Sequence, residues 1–159
     1  MGTFSKSFGS LGGFIAGDRE VLNYLKHNSR SLIFSASMPP ANIAAASKAL
    51  DIMLSEPERF EYLWDLTRYA HKAFKDAGFD TGRTQSPIIP LFVRDTFKAM
   101  AVVRHALAEG IFVTPVITPA VAPGDELIRF ALMATHTREQ VDYAVDKLTR
   151  IFRKLEIFQ

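Results

Sequence analysis

The sequence predicts an α+β fold, a small sheet with helices packed on one face, preceded by the tail of a larger domain. Three observations predict it. From about residue 40 the apolar periodicity runs helix, helix, strand, helix, strand, strand, helix, the order of a compact α+β layer. The last of these segments carries the cleanest stripe in the chain, Val141, Ala144, Val145, Leu148, Ile151, Phe152 and Leu155, at helical spacing. Residues 1–37, by contrast, hold too few strands and helices to close a core of their own. We therefore read residues 1–38 as the end of one domain and residues 39–159 as a second, smaller domain.

Each element has its own local signal. Residues 2–17 are rich in Gly and Ser and turn apolar at Gly13–Gly17, a loop leading into a short buried strand. Asp18 is placed to cap a helix over residues 19–28, with Val21, Leu22 and Leu25 on one face. Ser31–Ser37 reads as a short strand or extended loop. Pro39 and Pro40 then open a helix over residues 41–54, because proline fits the first helical turn. Ser55, with Pro57 and Glu58 behind it, has the spacing of a capping box. Phe60, Leu63, Trp64, Thr67, Ala70, Phe74 and Ala77 carry the next helix to a stop at Gly78.

The second half alternates shorter elements. Residues 87–93 (PIIPLFV) form an apolar strand whose two prolines suit an edge or a strand start. A helix over residues 97–109 ends at Gly110. Residues 111–116 are extended, residues 118–124 form a loop, and residues 126–133 (ELIRFALM) form a strand with Arg129 in its middle. Thr137 caps the final helix.

Composition narrows the function classes. The chain has 159 residues, 48% hydrophobic and 23% charged, with 19 basic and 17 acidic side chains for a net charge of +2. The charges are interspersed, so the clustered positive face that nucleic-acid binding needs is missing, and no nucleic-acid partner is expected. With no cysteine, disulfides, thiolate metal sites and cysteine nucleophiles are excluded, which agrees with a reducing cytoplasm. No metal site is expected. No apolar run reaches the roughly 18 residues of a membrane span, and the N-terminal residues lack the apolar centre of a signal peptide. Lys6 breaks the myristoylation pattern that Gly2 would start.

Three segments carry chemistry. In GTFSKSFGSLGG, residues 2–13, Lys6 sits among Thr3, Ser5, Ser7 and glycines. A lysine amine can form an imine with an aldehyde, hydroxyls can bond a phosphate, and glycine lets backbone approach a ligand. A solvated charge is the simpler account of a lone lysine. In IFSASMPP, residues 33–40, Ser35 is a second hydroxyl candidate, beside a plain strand-to-helix connection capped by Ser37. In LIRF, residues 127–130, an arginine within an apolar strand needs a partner. Bidentate binding of a carboxylate supplies one; an ion pair with Glu126 supplies another. His136, beside the last helix, reads as structural.

GTFSKSFGSLGGFIAGD, residues 2–18, resembles the cofactor-lysine segment of the α-oxoamine synthases, pyridoxal-phosphate (PLP) enzymes of fold-type I. These include 8-amino-7-oxononanoate synthase, 2-amino-3-ketobutyrate CoA ligase, 5-aminolevulinate synthase and serine palmitoyltransferase. The resemblance runs from Gly2 to about Phe152. FSASMPPAN, SPIIPLFVRD and TPVITPAVAPGDELIRFALMATHT are most similar to the bacterial serine palmitoyltransferase branch. It implies a large α/β domain followed by a small C-terminal α+β domain, with residues 1–38 the end of the first. It implies Lys6 as the Schiff-base lysine, Thr3 and Ser5 beside the cofactor, Ser35 on the phosphate of a neighbouring subunit's cofactor, and Arg129 on the substrate carboxylate. Serving sphingolipid or biotin biosynthesis, such an enzyme condenses an amino acid with an acyl-CoA thioester, releasing carbon dioxide, as a cytoplasmic homodimer.

Two departures bear on the assignment. Some members of the branch carry a second arginine where this chain has Ile117. The family's ring-stacking histidine and pyridine-pairing aspartate lie upstream of the lysine and have no counterpart here, so Met1 reads as an internal methionine or a fragment edge, and the chain alone is expected to be inactive. A related fold-type I aminotransferase is a second reading, against which the extended lysine segment argues. A non-catalytic remnant or interaction module is a third, against which Lys6, Ser35 and Arg129 argue together.

Overall fold

The structure is a computed structural model and describes residues 1–158. It divides into two compact units, Met1–Pro57 and Glu58–Gln159. In the first, strands β1 (Gly2–Thr3) and β2 (Gly13–Phe14) pair antiparallel, Gly2 opposite Phe14 and Thr3 opposite Gly13. Three helices follow, α1 (Arg19–Asn28), α2 (Arg30–Ile33) and α3 (Pro40–Ser55). Helix α3 opens on Pro40 as the double proline predicts. Ala46 is the one apolar residue this unit buries among the described residues.

Several local expectations in this unit are corrected. The apolar run after Gly13 is not a buried strand; β2 has two exposed residues and Ile15 is 54% exposed. Residues 30–33 are helical rather than extended. Leu32 and Ile33 both donate to the Ser29 carbonyl, and Phe34 donates to that of Arg30, so local hydrogen bonding overrides the strand preference of the apolar pair. Asp18 stands at the start of α1 but its side chain makes no capping bond. Ser55 closes α3 instead of capping the next helix; its hydroxyl donates back to Ile52 O.

The second unit holds the core. Its elements are α4 (Glu58–Asp76), β3 (Ile88–Phe92), α5 (Thr96–Ala108), β4 (Thr114–Val116), β5 (Leu127–Ala131) and α6 (Arg138–Lys154). The sheet order is β3-β5-β4, antiparallel throughout, so β5 is central and the proline-bearing strands β3 and β4 are edges, where a missing N–H costs least. The alternation of a half-buried strand sends Ile89, Leu91, Ile128 and Phe130 to the core and leaves Ile88, Arg129 and Ala131 exposed.

Helices α4, α5 and α6 supply the rest of that core, with Leu66, Ala70 and Phe74, Ala99, Val102 and Ala106, and Val141, Leu148 and Phe152. Edge-on and tilted rings run from Phe130 through Phe74 and Phe79 to Phe152 at centroid distances of 4.9, 5.1 and 4.7 Å, the edge-on pairs in the geometry that aromatic quadrupoles favour. The stripe of α4 differs from the predicted one in that Leu66 is fully buried while Phe60 and Trp64 are each 45% exposed. Gly78, at φ +92°, ends the helix in the left-handed conformation. Thr137 caps α6 through a full capping box with Gln140.

This is the predicted α+β layer, a small sheet with its helices on one face. Among the described residues no helix is long and apolar enough to cross a membrane, and no group of three or more His, Asp or Glu side chains gathers as a metal site.

Candidate functional site

The β1–β2 hairpin builds the lysine segment. Phe4 N donates to Gly12 O and Ser10 N to Phe4 O, closing a loop whose tip holds Lys6, with Gly9 N donating to Lys6 O. Phe4 stacks on Phe14 at 5.6 Å and meets Phe8 edge-on at 5.1 Å, a small apolar brace under the turn. Ser10 Oγ donates to Asn42 O at 2.8 Å, fastening the loop to α3. Gly12 adopts φ +99°, and a Cβ there would lie 1.9 Å from Met38 Sδ, so any other residue would be strained in its backbone and would have to displace the Met38 side chain.

On this frame Thr3 Oγ1 and Ser5 Oγ stand 3.0 Å apart, and Ser5 N donates to Thr3 Oγ1. Lys6 is exposed and its amine has no ion-pair partner among the described residues. The hairpin therefore brings three of the predicted residues, Thr3, Ser5 and Lys6, together. Ser35 follows α2 in the same unit, exposed, its hydroxyl donating to Ser31 O.

Arg129 belongs to the second unit. The sequence placed Arg129 inside an apolar strand and left an ion pair with Glu126 as the alternative to carboxylate binding; the structure shows neither a buried arginine nor that ion pair. Arg129 is exposed on the outer face of β5, opposite Pro90 of β3 and Thr114 of β4. Glu126, 5% exposed, is engaged elsewhere: its Oε1 accepts from Thr96 Oγ1 at 3.2 Å and its Oε2 from Gly124 N at 2.9 Å. The guanidinium is left with no ion pair among the described residues. It lines a cavity of about 750 Å3 together with residues 110–113, the end of β5 and the start of α6. Thr114, His136, Gln140 and Tyr143 share that lining. Sequence reasoning missed Thr114, Gln140 and Tyr143, since no spacing rule links an edge strand to the start of a helix. Ile117, where some relatives have arginine, packs against the core.

A free amine beside paired hydroxyls, and an unpaired guanidinium at a cavity, are groups for an aldehyde, a phosphate and a carboxylate. The sequence profile of the family described as aminotransferase class I and II matches residues 1–148. The chain belongs to that family. This class I and II aminotransferase-family chain is 57% identical over 157 residues to a serine palmitoyltransferase of Bacteroides ovatus, covering 99% of the chain and 40% of the relative. It is 41% identical over 155 residues to an 8-amino-7-oxononanoate synthase of Symbiobacterium thermophilum, again covering 40% of that protein. Among solved structures it is similar to a serine palmitoyltransferase holding PLP as an internal aldimine, with a TM-score of 0.91 and 29% identity over 99% of this chain and 40% of that one. The class I and II aminotransferase-family chain thus spans about 40% of the length of the relatives it matches, and its sheet with helices on one face has the fold-type I architecture of that neighbour.

Proposed function

We propose that this chain is the C-terminal part of a PLP-dependent C-acyltransferase of the α-oxoamine synthase type. It condenses an amino acid, with L-serine the lead, with an acyl-CoA thioester, and loses carbon dioxide to give an aminoketone. The observation that carries the reading is the 57% identity to serine palmitoyltransferase along 157 residues. The residues fit the cofactor: Lys6 offers an exposed amine without an ion-pair partner, beside two hydroxyls 3.0 Å apart.

Bound there, PLP draws electrons from the carbon next to the amino acid's nitrogen. Lys6 Nζ would hold the cofactor through its aldehyde carbon, and its free amine would be the base that takes the proton from the amino acid's α-carbon. Thr3 and Ser5 donate hydroxyl hydrogen bonds around the phosphate end, and Ser35 serves the phosphate of a second subunit in a cytoplasmic homodimer. Arg129 binds the substrate carboxylate through its planar pair of N–H groups. Residues 1–38 belong to the large domain of the parent fold and residues 39–159 to the small one.

The test is to incubate the chain with PLP, reduce with borohydride, and map the adduct by peptide mass spectrometry. A pyridoxyl group on the Lys6 peptide, lost in Lys6→Ala, is the expected result. An unmodified Lys6 peptide, or label scattered over other lysines, would overturn the assignment and favour a non-catalytic chain. Turnover of L-serine with palmitoyl-CoA is expected only from a protein of the relatives' length. Turnover by the 159 residues alone would remove the claim that they are a part.

A further inference from the structure

We propose that His136 is a ligand-binding residue of the cavity that Arg129 lines, a neutral imidazole whose Nε2–H donates to an acceptor atom of the carboxylate ligand held by Arg129. The inference rests on the carboxylate role proposed above for Arg129 and adds a second, uncharged contact from a residue whose place beside the last helix reads as structural in sequence.

The ring's protonation follows from its hydrogen bonds. The backbone amide of Met133 donates to His136 Nδ1 at 3.1 Å. An amide N–H can only donate, so Nδ1 is the acceptor and the neutral ring carries its proton on Nε2. The ring has little freedom to turn. His136 N donates to Met133 O at 3.1 Å, closing the turn from the other side. Tyr62 Oη, on α4, donates to His136 O at 2.8 Å. The next residue, Thr137, is locked by the capping box of α6. Backbone bonds on both sides of the ring thus fix the direction in which Nε2–H is offered.

That donor has no partner among the described residues, yet His136 is half-buried and lines the same cavity as Arg129. Of the other polar groups in the lining, Tyr143 Oη donates to Glu109 O at 3.1 Å and Gln140 Oε1 accepts from Thr137 N at 3.0 Å; the Glu139 carboxylate, hydrogen-bonded at Thr137, and Thr114 also share the wall. Apolar side chains such as Val113, Leu132 and Ala144 supply much of the remaining wall, while Nε2 itself stays open to a ligand entering the cavity, since it is not among the buried unpartnered atoms. A purely structural histidine would need only Nδ1 and its backbone. A spare Nε2–H in the same cavity as an unpaired guanidinium suits an anionic ligand with more than one acceptor atom, as an amino acid's carboxylate has.

Two substitutions separate the roles. The side-chain oxygen of asparagine can sit where Nδ1 does, so His136→Asn keeps the acceptor for Met133 N–H and loses the outer donor. The amide nitrogen of glutamine can sit where Nε2 does, so His136→Gln keeps the outer donor. The experiment is nitrogen-15 NMR of the 159-residue chain at pH 8, titrated with L-serine, with thermal unfolding of each variant alongside. Expected are an Nε2–H tautomer, and ring Nε2 and Arg129 Nε signals that shift along one saturation curve. Kd should rise about tenfold in His136→Asn and stay within about threefold in His136→Gln, the scale of one hydrogen bond to a charged group. Affinity kept in His136→Asn, with stability lost only in His136→Gln, would overturn the proposal and leave the histidine a structural anchor. Shifts at Arg129 without any at His136 would overturn it while sparing the carboxylate role of Arg129. No shift at either residue would overturn both.

Discussion

At the scale of single residues, charge placement separates groups that hold the fold from groups left free for a ligand. Asp80 belongs to the first kind. The Gly82 amide and then the Arg94 guanidinium, 2.7 Å away, hold its carboxyl below the usual aspartate range. Folding therefore favours the ionised form. The stabilisation is complete above the ordinary aspartate value and is lost as pH falls through the lower folded value. Asp80→Asn should lower the unfolding midpoint at pH 7 and leave it nearly unchanged at pH 2, measured by urea titration at both pH values; because the pair is half-exposed, the difference will be modest. Arg129, exposed and without an ion pair among the described residues, is the group we propose for the second kind. Arg129→Lys keeps the charge but loses the planar fork. We expect L-serine affinity in the NMR titration to fall about tenfold while thermal stability stays put, since no protein group leans on this guanidinium. The residue types at positions 3, 5, 6, 35 and 129 were legible because their chemistry is written in side-chain identity. The exposure of Arg129 was not, because an apolar strand with one arginine reads the same whether the charge faces in or out until the pairing register is known.

At the scale of elements, helix ends carry the clearest predictions. Thr137 accepts from Gln140 N while Gln140 Oε1 accepts from Thr137 N; Thr137→Ala should cost about 1 kcal/mol by chemical denaturation. At the other end of α6, Glu156 sits at φ +51° just past the C-cap Leu155, and Ile157 N returns to Phe152 O. A side chain in that left-handed position is strained, so Glu156→Gly should stabilise by about 1 kcal/mol in the same assay. Helices α4 to α6 were legible in sequence because their burial repeats at helical period and glycine or threonine marks an end; α3 was legible because two prolines open a run of strong helix formers. Residues 30–33 and Ser55 were not. A four-residue helix has no period to detect, and a serine between two helices can serve either, so only backbone partners, Ser29 O in one case and Ile52 O in the other, decide.

At the scale of the molecule, the two units differ in how much apolar surface they bury. The second unit encloses β3 and β5 under three helices with Leu66, Ile89, Leu91, Ile128 and Leu148 fully buried. The first buries Ala46 alone, while Phe34 and Leu54 are 77% and 75% exposed. Since burial supplies most of the stabilisation, hydrogen exchange on the isolated chain should show amides of β5, α4 and α6 exchanging only by global unfolding, and those of α1 to α3 exchanging orders of magnitude faster. Equal protection in both units would contradict this picture. The central strand carries one more consequence. Arg129 alternates with Ile128 and Phe130, and both of its neighbours in the sheet, Pro90 and Thr114, are fixed by antiparallel pairing. A slip of β5 by one residue would drive the guanidinium into the core and expose two large apolar side chains. The charge on Arg129 therefore also guards the register: a chain zipped one step out of place would have to bury an unpaired guanidinium, which opposes that misfold.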